Sequence, residues 1–313
     1  MRSHHLVIGA GPVGSAVARE LAARGEQVRV VTRSGTGPDH ANIERVVADA
    51  ADADRMAELA KAASAIYNCA NPPYTRWDTD WPPISASLLC AAESTGAVLA
   101  TVSNLYVYGR PERPMTHSTS LAPVDHKGEV RATMWRDALR AHQRGTVRVV
   151  EVRSSDYADA GVNSHLARNA PAVLAGKDVF VMGAADQPHS WTAVKDVARL
   201  LVAAAADPSA HGQAWLVPSA PPRTQREALN DVARAAGAPA PKVRAIGPRT
   251  MRSVGLLWPM MRELSGTSYQ FTAPFVVDDS ATVGHFHMHA QTWPDTLDNI
   301  VAAVRTAHKA PVL

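Results

Sequence analysis

The chain has 313 residues, 46% of them hydrophobic and 19% charged, which is ordinary for a globular protein and excludes a disordered one. Its 32 basic and 29 acidic residues nearly cancel to a net charge of +3 and form no run, so a nucleic-acid partner is not expected. Cys69 and Cys90 form no disulfide framework, which predicts reduced thiols and a cytoplasmic protein. The longest apolar stretch, at 200–206, is too short to span a membrane, so no membrane partner is expected.

The chain begins with a pattern that predicts a strand, a glycine-rich turn, a helix and a second strand. Residues 5–8 are apolar, Gly9-Ala-Gly11-Pro12-Val13-Gly14 follows them, a helical pattern runs to residue 23, and 28–31 is the second strand. In this context G-x-G-x-x-G is typical of dinucleotide-binding proteins. Gly9 allows the tight turn, Gly11 lets the backbone approach a pyrophosphate, and Gly14 lets the helix pack closely on the strand. The N–H groups at the start of the helix then face the phosphates.

The alternation of strands and helices continues along the first half of the chain. We expect strands at 45–48, 65–70, 98–102 and 147–152, and helices at 54–63, 84–95 and 127–144, with a proline-rich loop before the second of these helices. Such alternation predicts an α/β fold built on a doubly wound parallel sheet. After Arg153 the pattern loosens into short helices, prolines and isolated strands, which predicts a smaller C-terminal lobe for the substrate.

Several short motifs beyond the glycine turn agree with one family pattern. They are Asp49 after the third strand, Asn68-Cys-Ala70, Val107-Tyr-Gly109, Arg153-Ser-Ser-Asp-Tyr157 and Trp191-Thr-Ala-Val-Lys-Asp-Val-Ala198. Over nearly its whole length the chain resembles an extended short-chain dehydrogenase/reductase of the NAD-dependent epimerase/dehydratase type. The glycine turn is one residue shorter than the usual G-x-x-G-x-x-G of that family, which places the chain in an atypical branch.

The resemblance implies a division of the chain and a set of cofactor contacts. It implies a Rossmann-type NADP-binding domain over 1–155, with segments near 189–220 returning to it, and a mainly substrate-binding lobe over 156–313. The implied cofactor-binding residues are Gly9, Gly11, Pro12, Val13, Gly14, Thr32, Arg33, Ser34, Asp49, Ala70 and Arg131. Asp49 stands where the family contacts adenine.

The end of the second strand predicts which dinucleotide is preferred. NAD-preferring proteins place an acidic residue there to bind both ribose hydroxyls. This chain has Thr32, Arg33 and Ser34 instead, so no carboxylate repels a 2′-phosphate, and Arg33 can pair with one. The sequence therefore favours NADP(H) over NAD(H).

The family's chemistry depends on a Ser or Thr and on Tyr-x-x-x-Lys, and all three positions differ here. Asn104 stands at the Ser/Thr position, Lys127 at the tyrosine and Arg131 at the lysine. Asn104 can orient a substrate carbonyl through its amide, and Arg131 can anchor the nicotinamide ribose. Lys127 is a candidate proton donor, with a solvated lysine on an amphipathic helix as the alternative. Tyr106, Tyr108 and Tyr157 are alternative acids, although the family's tyrosine at Tyr108 mostly packs.

Residues on the substrate side are less specific. Candidate substrate contacts are Ser103, Ser155, Asp156 and Tyr157, and the residues expected to close the pocket, or simply to form core, are Trp258, Tyr269, Phe271 and Phe275. Three imidazoles of His285-Phe-His-Met-His289 would share one face of an extended strand. They would converge on one ion only with a bend, so no metal is expected.

These observations favour an NADP(H)-dependent oxidoreductase that transfers hydride between the nicotinamide and a carbonyl, imine or activated alkene of a small organic substrate. One alternative is an epimerase, dehydratase or other isomerase that uses bound cofactor transiently or only structurally. A second is a non-catalytic protein that senses NADP(H), which would explain the altered catalytic positions. Members of the family often dimerise through the helices that correspond to 84–95 and 127–144, so a homodimer is a further alternative.

Overall fold

The computed structural model describes residues 3–255 and 259–309. Its strands are β1 (His4–Ile8), β2 (Val28–Thr32), β3 (Ile43–Val47), β4 (Ala63–Asn68), β5 (Val98–Asn104), β6 (Arg148–Ser154), β7 (Asp156–Tyr157), β8 (Val179–Met182), β9 (His189–Thr192), β10 (Ala214–Leu216), β11 (Ala220–Arg223) and β12 (Val243–Ile246). Its helices are α1 (Pro12–Ala23), α2 (Ala53–Leu59), α3 (Trp77–Thr95), α4 (His126–Gln143), α5 (Ala170–Leu174), α6 (Val194–Ala206), α7 (Gln225–Ala236), α8 (Pro248–Gly255), α9 (Pro259–Thr267), α10 (Ser280–Phe286) and α11 (Trp293–Lys309).

Seven parallel strands form the central sheet, in the order β10-β6-β5-β4-β1-β2-β3. Its middle strands are short runs of apolar residues because both faces are covered: Leu6, Val7 and Ile8 of β1 are at most 2% exposed. The strand order reverses between β1 and β4, and ligands of such sheets bind beyond the carboxyl ends of the strands at that reversal. The predicted α/β fold with a Rossmann-type doubly wound sheet is confirmed.

The ends of two helices differ from the sequence-based expectation. Helix α3 begins at Trp77 and runs through Pro82 and Pro83, which were predicted to belong to a loop. The prolines remove hydrogen bonds from the helix, but Trp77 and Trp81, four residues apart on one face, are both buried and compensate by packing. Helix α2 ends at Leu59 and not at residue 63, because Ala62 adopts a left-handed φ of 63° and the chain turns into β4.

The chain divides into two compact units. Unit 1 is Met1–Gly109, Ser120–Ser154 and Lys195–Val217, and unit 2 is Arg110–Thr119, Ser155–Val194 and Pro218–Leu313. A first domain over 1–155, as expected from the sequence, would include 110–119. This segment belongs to unit 2 because Met115 accepts a backbone hydrogen bond from Asp278 and donates one to Val276. The last strand of the large sheet, β10, is a further element that the sequence analysis did not anticipate.

Unit 2 has two small sheets and its own core. Strands β11, β9 and β7 form one sheet, and β12 pairs with β8 in the other. Buried residues of α5, α7 and α11 pack together, among them Val173, Leu229 and Ile300. Helix α10 ends with His287 at a left-handed φ of 51°, so the 285–289 run is a helix terminus and not a strand. No helix in the described ranges is long and apolar enough to cross a membrane.

Candidate functional site

The glycine turn of unit 1 follows β1 and is shaped by two close approaches. Gly9 has a φ of +94°, and a Cβ on it would lie 2.8 Å from the carbonyl oxygen of Cys69. A Cβ on Gly14 would lie 2.0 Å from the carbonyl oxygen of Gly9, so the first turn of α1 rests directly on the turn. Gly11 differs, because no atom lies within 4 Å of a Cβ placed there. The turn therefore leaves open space in front of Gly11.

The start of α1 faces this space without a capping side chain. Gly11 is the N-cap, its backbone is extended, and no side chain accepts a hydrogen bond from the helix. Pro12 occupies the first turn, which contains no acidic residue. The positive end of the helix dipole is therefore not neutralised by the helix's own side chains, and this arrangement fits a bound phosphate.

The next strand of the sheet, β2, ends in a polar turn. The Thr32 hydroxyl donates to the carbonyl oxygen of Thr36 at 3.1 Å, and the Ser34 and Thr36 hydroxyls lie 3.0 Å apart. Arg33 is exposed between them and makes no hydrogen bond or ion pair with any described residue. Its guanidinium is available to an anionic ligand.

Asp49 and Ala70 follow β3 and β4. The Asp49 carboxylate is exposed and accepts a hydrogen bond from the backbone N–H of Ala51 at 3.0 Å, which orders the turn before α2. The backbone N–H of Ala70 donates to the Asn68 side chain at 3.4 Å. Both residues lie at the carboxyl edge of the parallel sheet. The glycine turn after β1 and Arg33 after β2 lie at the same edge.

The carboxyl end of β5 supplies Ser103, Asn104 and Tyr106. The side-chain oxygen of Asn104 accepts a hydrogen bond from the backbone N–H of Tyr106 at 3.1 Å. The amide N–H groups of Asn104 make no hydrogen bond with the residues that the structure describes. The Ser103 hydroxyl is buried and has no hydrogen-bond partner among the described residues.

Helix α4 buries both of the residues that replace the family's tyrosine and lysine. Lys127 is 1% exposed and Arg131 is 5% exposed, so Lys127 is not a solvated surface lysine. Asp125 caps the helix by accepting a hydrogen bond from the N–H of Gly128. A Cβ on Gly128 would lie 2.6 Å from the carbonyl oxygen of Tyr106, so the glycine lets the start of α4 approach the end of β5.

Four aromatic side chains pack together, and three of them contact the two cations. We call the four the aromatic cluster: Tyr74, Trp77, Trp81 and Tyr106. The ammonium of Lys127 lies 4.5 Å from the ring centroid of Tyr74 and 3.0 Å from Nε2 of His126.

The guanidinium of Arg131 lies 4.0 Å from the ring of Trp81 and 4.9 Å from that of Trp77, and donates to the carbonyl oxygen of Val102 at 3.3 Å. Tyr74, Trp77 and Trp81 were not predicted as site residues, although their spacing of three and four residues is that of one helical face.

Tyr108, one of the alternative acids, lies elsewhere in unit 1. Its hydroxyl accepts a hydrogen bond from Arg153 at 2.8 Å, and Arg153 in turn pairs with Glu151 at 2.6 Å. Burial raises the pKa of Tyr108, and the neighbouring Arg153 only partly opposes this. All three side chains are buried, so Tyr108 forms part of a structural network and is a poor proton donor near neutral pH.

The other predicted substrate residues, Ser155, Asp156 and Tyr157, lie in unit 2. Asp156 pairs with His189 at 2.8 Å, and His165 lies 3.7 Å from the second carboxylate oxygen. The His189 ring stacks on Phe271 and Phe275, with centroids 4.6 Å and 5.6 Å away. Phe271, Phe275 and Tyr269 are buried parts of this packing, whereas Trp258 lies outside the described residues.

Comparison with protein families and solved structures agrees with this architecture. The model of the NAD dependent epimerase/dehydratase family matches residues 5–217. A DesIV dTDP-glucose 4,6-dehydratase double mutant from Streptomyces venezuelae, with NAD and DAU bound, is 19% identical with a TM-score of 0.77, and the alignment covers 97% of each chain. A UDP-glucose 4-epimerase from Thermotoga maritima, with UDP-glucose, is 14% identical with a TM-score of 0.80 over 98% of this chain and 100% of that one.

A Bordetella bronchiseptica enzyme in complex with NAD+ is 20% identical, with a TM-score of 0.75 over 99% of this chain and 100% of that one. At these identities the likeness shows the fold. No curated protein sequence matches this chain.

Proposed function

The chain belongs to the NAD dependent epimerase/dehydratase family, and from this premise we propose that it binds a nicotinamide dinucleotide and acts as an oxidoreductase on a small organic substrate. The reaction is hydride transfer between the nicotinamide and a carbonyl, imine or activated alkene of the substrate. The observation that supports this most directly is the glycine turn, in which Gly9 and Gly14 fold the backbone tightly while the space before Gly11 stays open. A dinucleotide pyrophosphate is a ligand of the size and charge that this space suits.

In this proposal each residue at the carboxyl edge of the sheet binds a different part of the cofactor. Gly11, Pro12 and Val13 receive the pyrophosphate at the uncapped start of α1. Asp49 follows the edge strand β3, for the adenine, and Ala70 follows β4 beside β1, for the middle of the dinucleotide. When bound, the cofactor supplies the hydride donor or acceptor.

We further propose that the preferred dinucleotide is NADP(H). The support is the unpaired, exposed Arg33 at the end of β2, with Thr32 and Ser34 beside it and no carboxylate in the turn. A guanidinium pairs strongly with a phosphate, whereas a ribose hydroxyl gains little from it. The structural relatives crystallised with NAD and NAD+ make NAD(H) the alternative that the experiment must test.

The proton required by the reaction comes from the side chains at the end of β5 and the start of α4. Asn104 orients the substrate through its amide N–H groups, since its oxygen is engaged by the backbone of Tyr106. Lys127 supplies positive charge and Tyr106 is the candidate acid, because Lys127 is buried against the ring of Tyr74. Arg131 stays a proposed contact to the nicotinamide ribose. Ser103, Ser155, Asp156 and Tyr157 stay proposed substrate contacts.

The second candidate function is epimerisation or dehydration with transient use of the cofactor. The family match favours it, and two of the structural relatives are a dTDP-glucose 4,6-dehydratase and a UDP-glucose 4-epimerase. Its active site would need the same dinucleotide turn and the same acid–base residues. The two functions differ in the net change of the cofactor: the oxidoreductase consumes reduced cofactor in step with product, whereas the epimerase or dehydratase returns the cofactor to its starting state.

Calorimetric titration with NADPH and with NADH tests the cofactor, and cofactor stoichiometry tests the reaction. We expect NADPH to bind at least tenfold more tightly, which corresponds to about 1.4 kcal/mol. In a screen of carbonyl and imine substrates, one NADPH oxidised per product supports the oxidoreductase. Product without net change in absorbance at 340 nm supports the epimerase or dehydratase. If neither dinucleotide binds, the proposal is wrong.

A further inference from the structure

The aromatic cluster contains one hydrogen bond between two phenols. The hydroxyl of Tyr74 donates to the hydroxyl of Tyr106 at 3.0 Å, and the ammonium of Lys127 lies over the ring of Tyr74, 4.5 Å from its centroid. We propose that Tyr74 is a positioning residue which transmits the charge of Lys127 to Tyr106 and so makes Tyr106 the proton donor. This inference rests on the function proposed above and names the acid of that reaction.

Tyr106 has the position and the hydrogen-bond state of an acid. It follows β5 directly, is half-buried, and lies two residues from Asn104, which fixes its backbone N–H. A phenol that accepts a hydrogen bond still has its own proton to give. Once that proton has left, the bond from Tyr74 stabilises the phenolate, because a hydrogen bond to an ionised group is stronger than one between neutral groups.

Lys127 acts on this pair through the ring of Tyr74. A cation over the face of a phenol ring is attracted to its electrons, and it favours negative charge on the hydrogen-bonded pair of hydroxyls. Lys127 is 1% exposed, so little water screens this interaction. The lysine thereby contributes to acidity without giving up a proton itself.

Trp77 fixes the two phenols independently of their hydroxyl contact. Its ring stacks on Tyr106 with centroids 6.1 Å apart and meets Tyr74 edge-on at 5.2 Å. Its indole N–H donates to the carbonyl oxygen of Pro72 at 3.2 Å, which holds the indole in place. Removing the hydroxyl of Tyr74 should therefore leave both rings where they are.

The step balances as a reduction of a carbonyl. Hydride from the bound NADPH, or NADH, forms the new C–H bond and reduces the carbonyl carbon, while the nicotinamide is oxidised. The carbonyl oxygen takes the phenolic proton of Tyr106, so that an O–H bond forms and Tyr106 becomes a phenolate. Water returns a proton to the phenolate before the next turnover.

The experiment is an NMR titration of the full chain labelled with ¹³C at the tyrosine ζ carbon. Tyr106→Phe assigns the Tyr106 resonance among the six tyrosines. In Tyr74→Phe we expect the pH midpoint of Tyr106 ionisation to rise by about one unit. Tyr67→Phe in β4 is the matched control, since it also removes one hydroxyl in unit 1, and it should leave that midpoint unchanged.

A double-mutant cycle tests the route through Tyr74. Lys127→Met should raise the Tyr106 midpoint in the wild-type background and add little in the Tyr74→Phe background, because the two residues act in series. An unchanged midpoint in Tyr74→Phe, or fully additive effects, overturns the proposal.

Calorimetry keeps this test separate from that of the proposed function. Tyr74→Phe should bind NADPH as the wild type does, and addition of NADP+ should shift the Tyr106 resonance. If neither NADPH nor NADH binds to the wild type, the proposed function fails while the cycle still reports on the hydrogen bond. If cofactor binds and NADP+ leaves the Tyr106 resonance unmoved, Tyr106 is not the acid and this inference alone fails.

Discussion

The carboxylate oxygen Oδ2 of Asp156 lies 2.8 Å from Nε2 of His189, which joins the neighbouring strands β7 and β9 of unit 2. The other ring nitrogen of His189 lies 3.3 Å from the carbonyl oxygen of Gln270. Both ring nitrogens of His189 thus lie within hydrogen-bond distance of an oxygen acceptor, one a carboxylate and the other a backbone carbonyl. The two stacked phenylalanine rings cover the imidazole, which is 1% exposed.

The first prediction concerns the charge of Asp156. Burial by itself would raise the pKa of this carboxyl, but the hydrogen bond from His189 and the electrostatic influence of the nearby His189, His165 and Arg168 side chains outweigh burial and hold the pKa below its ordinary value. Such a group stabilises the fold above its unfolded pKa of about 3.9, and the stabilisation is lost as pH falls through the lower folded pKa. Asp156→Asn should therefore cost about 3 kcal/mol at pH 7.

Urea unfolding at pH 7, 5 and 3 measures this cost. The difference between wild type and Asp156→Asn should be constant from pH 7 to pH 5 and shrink below the ordinary pKa of the carboxyl. Asp186→Asn is the control, because Asp186 pairs with Arg226 at the surface, and it should cost less than about 1 kcal/mol. Equal stability of Asp156→Asn and wild type at pH 7 would contradict the ion-paired assignment.

The second prediction concerns His165, whose pKa is lowered to about 4. Burial is the main cause, Arg168 and His189 add to it, and the negative charge of Asp156 opposes it. The imidazole is neutral in the fold, whereas in the unfolded chain it ionises near ~6.5. As pH falls from ~6.5 to ~4, the unfolded state binds a proton that the folded state does not, so stability should fall by about 3 kcal/mol.

His165→Asn removes this titration and keeps an acceptor for Arg168, which donates to the imidazole at 2.8 Å. Thermal unfolding of both proteins at pH 7.5 and pH 4.5 measures the effect. The wild type should lose more stability than the variant over that interval. Parallel pH dependences would show that His165 ionises in the fold as it does in the unfolded chain.

The large sheet could be predicted because its strands are short apolar runs separated by helical periodicity. The same logic failed at α3, where Pro82 and Pro83 read as a loop although Trp77 and Trp81 bury a complete helical face. It failed for 110–119 as well, because the backbone pairing of Met115 with 276–278 is a contact between segments far apart in the chain. No local pattern of propensity reports such a pairing.

The candidate site also has a part that could be predicted from the sequence and a part that could not. The glycine turn and the uncapped start of α1 could be predicted, because few residue types fit the backbone conformations found there. The burial of Lys127 and Arg131 depends on aromatic rings contributed by a different segment. A lysine at the start of an amphipathic helix looks the same in sequence whether solvent or Tyr74 covers it.

The third prediction compares two glycines of the turn. Gly14→Ala places a methyl 2.0 Å from the carbonyl oxygen of Gly9, so we expect a loss of at least about 2 kcal/mol in the free energy of unfolding. Gly11→Ala meets no atom within 4 Å and keeps a φ of −66°, so its stability should stay within about 1 kcal/mol of the wild type. Its methyl enters the space proposed for the pyrophosphate, and NADPH affinity should fall at least tenfold, or about 1.4 kcal/mol.

Urea unfolding and calorimetry on both variants separate the two effects. A folded Gly11→Ala that still binds NADPH normally would place the dinucleotide elsewhere. A Gly14→Ala protein as stable as the wild type would mean that α1 can shift away from the turn at no cost.

The fourth prediction concerns the buried guanidinium of Arg131, which lies 4.0 Å from the ring of Trp81. Trp81→Leu keeps an apolar side chain but removes the aromatic face and leaves a cavity beside a buried cation. We expect it to cost about 4 kcal/mol, mostly from lost packing and partly from the lost cation–π contact. Trp81→Leu in an Arg131→Met background should cost less, and the difference in unfolding free energy measures the coupling. Additive costs would show that the ring contributes packing alone.

The fifth prediction concerns Arg33 and the choice of dinucleotide. Arg33→Ala should lower NADPH affinity at least tenfold, about 1.4 kcal/mol, and leave NADH affinity within twofold, because only NADPH has the 2′-phosphate that the guanidinium would pair with. Arg19→Ala, which removes another exposed arginine from α1, is the control for a general loss of positive charge and should change neither affinity. Calorimetry at 0.05 and 0.3 M salt adds a second criterion, since a direct phosphate contact weakens with salt in the wild type and not in Arg33→Ala. Equal losses of NADPH and NADH affinity in Arg33→Ala would mean that Arg33 contacts the adenine or stabilises the turn. The preference for NADP(H) would then have no support from this residue.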